Sequence, residues 1–453
     1  MELPVANADP AILRLPSRML DVGRTLRATL TNPLDGLPPE IFHADLVRRT
    51  LLRRNVTYVM APALVQEALV ARAAHLDKGE SVRRPLGAAL GNGLLTAEDE
   101  DWRWQRRAIA PVFRAGALDR FTPAMLAAAG RCADRMATAG ALGPVSVSAE
   151  MMRTTFEIIA DTMLSGHANI DVERTAADVS GYLRQTRWAN LSNLMGLPGW
   201  APHPGKRGGR RIAAYLRQRL GEQVAVRRAA PGAGDDLVTL LLAAADPDTG
   251  RRLADAEIVD NLLTFLTAGH ETTALALGWT LDLLGRHPAI ARLLHEEAAA
   301  AVPGDPDALP LATRVFQEAL RLYPAAPLFV RRVREPFVLA GERLDRNSLL
   351  VVPVHAIHRH RSLWDAPHVF DPDRFLPDAV AGRPRHAFLP FGAGPRTCIG
   401  ASFAMREAVF ILSVLMKELR FASIDPVPPA PRMEITLRPE RPLMMRVERR
   451  LLH

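Results

Sequence analysis

The sequence is poor in cysteine: Cys132 and Cys398 are the two in 453 residues. Two thiols cannot form the disulfide framework of a small secreted protein, nor the cysteine set of an iron–sulfur cluster. We therefore expect any chemistry at either position to be that of a thiol or a thiolate. A reducing cytoplasm is the expected compartment.

Long apolar runs are also missing. No stretch reaches the ~18–20 uninterrupted apolar residues of a membrane-spanning helix. The start of the chain, Met1 to Pro16, lacks the basic and apolar regions of a signal peptide. We therefore expect no transmembrane anchor and no export. The net charge of +8 is spread over many arginines rather than gathered in one tail, so charge alone does not indicate nucleic-acid binding.

Internal repeats and long flexible linkers are absent as well, so we expect one unit spanning residues 1–453. From about residue 62 to 320 the apolar spacing is helical. Short β-branched runs follow at Phe337–Leu339 and Leu349–Val354, then a last helix over Ala401–Leu419. Alternation over Met433–Arg446 predicts a hairpin. The expected fold class is mainly α with small β-sheets.

Cys398 lies in the segment Phe391–Gly400 (FGAGPRTCIG), between a glycine-rich turn and the predicted last helix. Unpaired N–H groups at a helix start carry partial positive charge, so this placement predicts a thiolate with a lowered pKa. A soft sulfur anion is a good iron ligand, and the glycines allow close approach of a flat macrocycle. For an isolated cysteine, the alternative is an inert buried side chain.

This segment resembles the haem-binding signature of the cytochrome P-450 family, Phe-x-x-Gly-x-Arg-x-Cys-x-Gly, at every fixed position. The resemblance implies the cytochrome P-450 fold, a helical body around a buried haem b, with Cys398 as the axial ligand of the haem iron. It implies haem contacts for Phe391, Arg396 and Gly400, with Arg396 a partner of a haem propionate. Cys132 has no such surroundings and is expected in the core.

A long apolar segment, Asp255 to Leu284, predicts a helix of ~45 Å that contains a polar island, Ala268–Thr273 (AGHETT). Polar groups there need partners. From the residues alone, threonine bonding back to the preceding turn and Glu271 reaching an arginine explain the island as well as a functional role does. In the P-450 family the island lies over the distal haem face. The implied roles are haem contact for Ala268 and Gly269, a hydrogen bond to dioxygen for Thr272, and proton delivery for Glu271.

Glu318 and Arg321 lie three residues apart on one face of a predicted helix that ends at Pro324. An exposed pair of this kind contributes only ~0.2–0.5 kcal/mol, and the pattern is common by chance. Its position relative to the other segments is similar to the Glu-x-x-Arg helix of the P-450 family, with Arg374 following in Pro-Asp-Arg-Phe. The resemblance implies a buried structural network of Glu318, Arg321 and Arg374.

Trp102 and Arg106 lie one helical turn apart, so both can reach one anionic group. A basic, aromatic helix also suits nucleic acid. The P-450 family has Trp-x-x-x-Arg at this distance from the N-terminus and uses it for the haem propionates. Arg331 aligns with a further propionate ligand, and the adjacent Arg332 is an alternative.

Together the four segments imply a haem-thiolate monooxygenase, which inserts one oxygen atom of dioxygen into a lipophilic small molecule by hydroxylation or epoxidation. We expect no fused reductase, so the resemblance implies a ferredoxin or flavodoxin-type electron donor with its reductase. Surplus arginines at Arg103, Arg107 and Arg114 suit an acidic partner or simply form a solvated face.

Three other functions stay open. A peroxide-using enzyme of the same fold would not need Glu271 and Thr272, whose presence favours the monooxygenase. A haem sensor or carrier would show no turnover. A basic nucleic-acid-binding protein would bind no chromophore, and because the motifs are far more specific than the composition, we expect no nucleic-acid partner.

The segments that line the substrate space by this resemblance are mostly apolar, which favours a fatty acid, terpenoid, steroid or aromatic compound. They are Arg84–Thr96, Leu194–Trp200, Phe265–Ala268, Ala325–Val330 and Ile435–Pro439. Leu194–Trp200 precedes a basic cluster that could touch a membrane surface, but a hinged lid over substrate access is the preferred interpretation.

Overall fold

The computed structural model describes residues 11–15, 19–51, 54–79, 86–87, 90–164, 181, 206–230 and 235–450, and it confirms a mainly helical chain with small sheets. The helices are α1 (Met19–Leu30), α2 (Pro62–Gln66), α3 (Asp99–Ile109), α4 (Thr122–Gly140), α5 (Val147–Leu164), α6 (Lys206–Ala229), α7 (Leu237–Ala243), α8 (Asp255–Arg286), α9 (Pro288–Ala300), α10 (Pro310–Leu322), α11 (Val354–Ile357), α12 (Pro377–Ala381) and α13 (Ala401–Glu418). The strands are β1 (Ile12–Leu15), β2 (Leu46–Leu51), β3 (Arg54–Val59), β4 (Leu76–Asp77), β5 (Val145–Ser146), β6 (Phe329–Val333), β7 (Phe337–Leu339), β8 (Glu342–Leu344), β9 (Leu349–Val352), β10 (Leu419–Ser423), β11 (Pro431–Met433), β12 (Leu437–Pro439) and β13 (Met444–Arg449).

The longest of these helices, α8, packs against α5, α6 and α10 and organises the helical body. Glu257 caps its first turn by accepting the Ala254 N–H at 2.8 Å. The helix ends two residues beyond its predicted limit, just before α9 opens with Pro288. Helix α5 approaches so closely that a Cβ on Gly269 would lie 2.7 Å from Ile159 Cδ1. The glycine of the polar island therefore also serves helix packing.

The sheets correct one prediction. The larger sheet has the strand order β1-β2-β3-β9-β6-β4, and β10, β13 and β5 form a second sheet. The hairpin predicted over residues 433–446 is wrong in its extent, because β11 pairs with β12 whereas β13 pairs with β10 and β5. Alternating apolar residues look the same in a hairpin arm and in a strand that joins distant partners, so periodicity alone does not choose between them.

Buried apolar side chains of the described residues form three clusters. One joins α4, α8, α10 and α13 and holds the fully buried Cys132, where burial raises the thiol pKa to about 12. A second joins α3, α5, α6, α7 and the first half of α8, and the third lies under the larger sheet. Phe391 packs on the first cluster and Ile399 on the second, which places Cys398 at their junction.

The three predicted network residues meet at the end of α10. Glu318 and Arg321 are fully buried and share two hydrogen bonds of 2.7 Å. Arg374 Nε lies 3.5 Å from the same carboxylate, which also accepts the Asp371 N–H at 3.0 Å. Arg321 donates further hydrogen bonds to backbone carbonyls beyond α11. The pair thus ties α10 to the loop that leads toward the cysteine segment.

We expect Glu318→Ala to lower the free energy of unfolding by ~3–5 kcal/mol, because it leaves the Arg321 charge buried and unpaired. The matched control is Glu296→Ala, which removes an exposed partner 3.9 Å from Arg292 and should cost less than ~0.5 kcal/mol. Denaturant unfolding of both variants checks this. Equal losses in the two would contradict a structural role for Glu318.

Candidate active site

The cysteine segment is a tight loop that two glycines make possible. Gly392 and Gly394 have φ angles of +79° and +72°, and a Cβ on Gly394 would collide with the Leu69 carbonyl oxygen. The Cys398 N–H donates to the Phe391 carbonyl at 2.9 Å and closes the loop. Helix α13 begins three residues after the cysteine.

The Cys398 side chain is exposed, yet its thiol is strongly desolvated, so its sulfur faces an enclosed internal space rather than open solvent. Desolvation raises the pKa of the thiol, whereas the Gly400 N–H and the Arg106 charge lower it by smaller amounts. The predicted lowering of the pKa is therefore wrong: the helix start acts in the expected direction, but burial outweighs it. A coordinating metal cation deprotonates such a thiol outright.

The polar island of α8 presents one side to an internal space. In a helix that is otherwise buried here, the partly exposed residues are Phe265, Ala268, Gly269 and Thr272, whose spacing forms a single stripe. Phe265 packs on the same apolar cluster as Ile399, next to the cysteine. The stripe therefore carries three of the predicted site residues on one side of the helix.

Glu271 lies off this stripe and is buried. Its carboxylate accepts a hydrogen bond from the Thr436 hydroxyl and lies 2.8 Å from Arg438 Nη2. The Thr272 hydroxyl donates to the Ala268 carbonyl at 2.8 Å. The alternative without a catalytic role predicted that threonine bonds back to the preceding turn and that Glu271 reaches an arginine, and both contacts are present. The hydroxyl oxygen of Thr272 can still accept a hydrogen bond from the cavity side.

Cationic side chains gather near the cysteine loop. Arg396 donates to the Ala97 carbonyl at 2.8 Å and pairs with Glu98, and its guanidinium lies 4.0 Å from the centre of the Trp102 ring. Desolvation lowers the pKa of Arg396 to about 10. Lys78 is buried beside this group, and desolvation, with Arg396 and Arg331 next in effect, holds its pKa well below the ordinary value. A guanidinium has five N–H donors, so pairing with Glu98 leaves donors for a second anion.

The structure separates Arg331 from Arg332. They are neighbours on β6, so their side chains point to opposite faces of the sheet. Arg332 is committed to Asp77, with Nε–Oδ1 at 3.0 Å. Among the described residues, Arg331 has no carboxylate within ion-pair distance, and its pKa is lowered by desolvation. Arg106 likewise has no ion pair with a carboxylate among the described residues, and desolvation lowers its pKa.

The resemblance implies a haem propionate as the partner of Arg331, and on that expectation Arg331→Leu should speed haem loss about 10- to 100-fold, since a charge-assisted hydrogen bond contributes ~1.5–3 kcal/mol. Arg332→Leu should leave haem loss nearly unchanged, because that side chain serves Asp77 on the other face of the sheet. Transfer of haem to an excess of apomyoglobin measures both rates. Faster loss in the Arg332 variant alone would reverse the assignment.

Sequence reasoning missed several polar residues around this space. Lys78 and Glu98 lie beside Arg396 near the cysteine loop. The sequence before α3 contains no pattern that predicts a functional role for either residue. Glu407 on α13 is fully enclosed near Thr273, and desolvation raises its pKa to about 8. The sequence feature that could have identified Glu407 is an acidic residue next to the long apolar run of α13. The predicted lid Leu194–Trp200 lies outside the described residues, as do positions 84, 85, 88 and 89 of the segment Arg84–Thr96.

These residues fit a flat macrocycle that carries two carboxylates and a metal. The Cys398 sulfur faces an internal space, Arg106 and Arg331 lack an ion-paired carboxylate in the described chain, and glycines allow close backbone approach. The family model for Cytochrome P450 matches residues 42–447. The chain belongs to the cytochrome P450 family.

Similar proteins agree with this membership. Cyclooctatin synthase from Streptomyces melanosporofaciens is 34% identical over 90% of each chain. Cyclooctat-9-en-7-ol 5-monooxygenase from the same organism is 32% identical, covering 90% of this chain and 88% of the relative. Pentalenene oxygenase from Streptomyces avermitilis is 31% identical over 88% of each. The crystal structure of the cytochrome P450DA heme domain matches with a TM-score of 0.78 and 25% identity over 90% of each chain.

This P450 is therefore a haem-thiolate monooxygenase, an oxidoreductase that inserts an oxygen atom of dioxygen into a lipophilic small molecule with electrons from redox partners. The cytochrome P450 fold predicted from the cysteine signature is confirmed. In the described part of the chain, no helix combines the length and apolarity needed to span a bilayer.

Proposed function

We propose that this P450 hydroxylates or epoxidises a cyclic terpenoid with haem b as its cofactor, in one catalytic unit that spans residues 1–453. The observation that carries the proposal is the Cys398 sulfur, which faces an internal space beside arginines without an ion-paired carboxylate in the described chain. The haem would supply the activation of dioxygen and the oxygen transfer.

The remaining site residues bind and orient. Cys398 would hold the iron from one side, flanked by Phe391 and Gly400 at the ends of its loop. The side chains with donors suited to the propionates are Trp102, Arg106, Arg331 and Arg396. On α8, Ala268 and Gly269 carry so little side chain that they leave room for a flat group and dioxygen. Thr272 would donate and relay a proton at its hydroxyl, and Glu271 would resupply that proton.

The terpenoid class rests on two supports. Cyclooctat-9-en-7-ol and pentalenene, in the names of two relatives, are polycyclic terpenoids. In this chain the side chains at the candidate pocket are apolar: Phe265 and Ala268 lie on the exposed stripe, and Leu328 and Ile435 are partly buried. Such a lining recognises shape and apolar area rather than charge, which suits a rigid hydrocarbon skeleton better than a fatty-acid carboxylate.

Electrons would come from a ferredoxin or flavodoxin-type donor with its reductase. Three arginines were considered either as a surface for an acidic donor or as a solvated face. Arg103 pairs with Glu100 at 3.1 Å and Arg107 with Asp246 at 2.8 Å, whereas Arg114 is exposed. Two of the three charges are thus partly neutralised, which weakens charge as a criterion for the donor. Two free thiols without a disulfide support a reducing compartment, the cytoplasm.

Turnover under ¹⁸O₂ with reductant, reductase and either donor protein tests the proposal. A panel of cyclic sesquiterpenes and diterpenes is compared with fatty acids of equal carbon number. The expected result is a terpenoid product that carries one ¹⁸O atom and depends on the reductant. Oxidation that needs added hydrogen peroxide instead would favour the peroxide-using alternative, and turnover of fatty acids alone would reject the substrate class.

A further inference from the structure

The carboxylate of Glu271 is held by the β11–β12 hairpin rather than by its own helix. Its Oε1 accepts the Thr436 hydroxyl hydrogen and lies 2.8 Å from Arg438 Nη2. Both partners come from the end of the chain, at the tip of the hairpin and on β12. Glu271 is 1% exposed, so these contacts are closed to solvent.

The hairpin concentrates positive charge at this point. Arg438 and Arg432 are register partners in the antiparallel pair β11–β12, so their side chains share one face. Like charges placed directly opposite are destabilising unless carboxylates neutralise them. Glu434 lies 3.5 Å from Arg438 Nε, and Glu271 supplies a second carboxylate from α8. The distal acid therefore completes a charge cluster whose other members lie on the hairpin.

This cluster is incompletely bonded. Buried polar atoms without a hydrogen bond in the described chain include Glu271 Oε2, Glu434 Oε2, and Nε and Nη2 of Arg438. The two Arg438 atoms lie at ion-pair distance from Glu434 and Glu271 but do not form hydrogen bonds with them. A buried polar group left unpaired is costly and favours any second arrangement that supplies a partner. One oxygen of Glu271 is thus anchored to the hairpin, while the other is available to carry a proton.

The hairpin also contacts the apolar pocket. Ile435, between Glu434 and Thr436, packs on the same apolar cluster as Phe265 of the exposed stripe. The hairpin is tied to the rest of the fold by the Met433 N–H, which donates to Asn32 at 2.9 Å, and by the Leu437 N–H, which donates to the Ala325 carbonyl at 3.0 Å. A substrate that presses on Ile435 therefore acts on the segment that anchors Glu271.

We propose that Arg438 and Thr436 are positioning residues for Glu271, and that the β11–β12 hairpin controls when this carboxyl group passes a proton toward Thr272. The inference rests on the proposed roles of Glu271 and Thr272. In each cycle the carboxyl group gives one proton toward Thr272 and regains one from water, so it ends as it began. Without the hairpin contacts the carboxyl group would not hold its orientation.

Arg438 is the cation that holds the Glu271 carboxylate in place. In the described chain it is the one arginine or lysine at ion-pair distance from that carboxylate, at 2.8 Å. Without it, the Thr436 hydroxyl would be the remaining hairpin contact of the carboxyl group. Removing Arg438 should therefore disturb the orientation from which the carboxyl group serves Thr272.

The test compares the product formed per reductant consumed by holoenzyme with saturating donor protein. Arg438→Gln should lower this coupling about three- to tenfold, because positioned proton transfer depends on the orientation of the carboxyl group. Arg438→Lys, which keeps a cation at this position, should restore most of the coupling. Arg441→Gln is the matched control, since Arg441 is half-exposed and pairs with Asp425 at 2.7 Å. Its coupling should be unchanged.

A second measurement is independent of turnover. Arg438→Gln should lower the thermal midpoint of the holoprotein by about 3–5 °C, because it leaves a carboxylate buried without its cation, and adding Glu271→Gln should recover much of that loss. Full coupling in Arg438→Gln, in an enzyme that Glu271→Gln uncouples, would overturn the positioning role. An unimpaired Glu271→Gln enzyme would instead overturn the proposed function of Glu271 itself.

Discussion

Replacing Cys398 by serine should abolish the strongly red-shifted absorption band of the reduced, carbon-monoxide-bound protein. That band reports thiolate ligation of the haem iron, and serine supplies a hard hydroxyl that coordinates iron weakly. The loop itself should survive, because its closing hydrogen bond uses the Cys398 backbone N–H and its shape depends on Gly392 and Gly394. Dioxygen-dependent product formation should fall below detection, since the push of electron density from sulfur is lost.

The matched control is Cys132→Ser, which changes the other thiol of the chain. That side chain is buried in the core cluster of α4 and α8, so the variant should lose stability but keep the spectrum. Difference spectra of dithionite-reduced protein with and without carbon monoxide measure both variants. An unchanged band in Cys398→Ser, or a lost band in a folded Cys132→Ser, would reject Cys398 as the iron ligand.

Local constraints made much of the site predictable. The loop before α13 needs glycine at two positive φ angles, so its residues are legible in one short segment. The α8 stripe has helical spacing, but Ala268, Gly269 and Thr272 were predicted together from the resemblance of the polar island to the P-450 family, not from that spacing. The Glu318–Arg321 pair is equally local, although its burial came from resemblance rather than from the residues.

Quantities set by distant packing were not predictable. The pKa of Cys398 was misjudged because a helix start is visible in sequence whereas the desolvation that outweighs it is not. The partner of Glu271 was foreseen only as some arginine, since Arg438 reaches it through the register of a hairpin far along the chain. Choosing Arg331 over Arg332 likewise required knowing that β4 places Asp77 beside one of them.

Replacing Thr272 by alanine should divert reducing equivalents from product to released hydrogen peroxide while leaving haem binding intact. Thr272 is the one hydroxyl on the exposed stripe of α8, so its replacement removes the side-chain hydroxyl that the stripe offers to the cavity. Positioned proton transfer contributes on the order of 10²–10⁴-fold to rate. Because water can partly replace the hydroxyl, we expect product formed per reductant consumed to fall about tenfold or more.

Thr280→Ala provides the matched control on the same helix. Its hydroxyl bonds back to the Ala276 carbonyl at 2.7 Å, as that of Thr272 does to Ala268, but the residue is fully buried two turns away. Both variants lose an equivalent backbone-directed hydrogen bond, so a shared effect would measure only helix stability. Product and peroxide are quantified per reductant consumed, together with the carbon-monoxide spectrum. Full coupling in Thr272→Ala would remove the hydroxyl from the proton path and leave the back-bonding interpretation of the polar island.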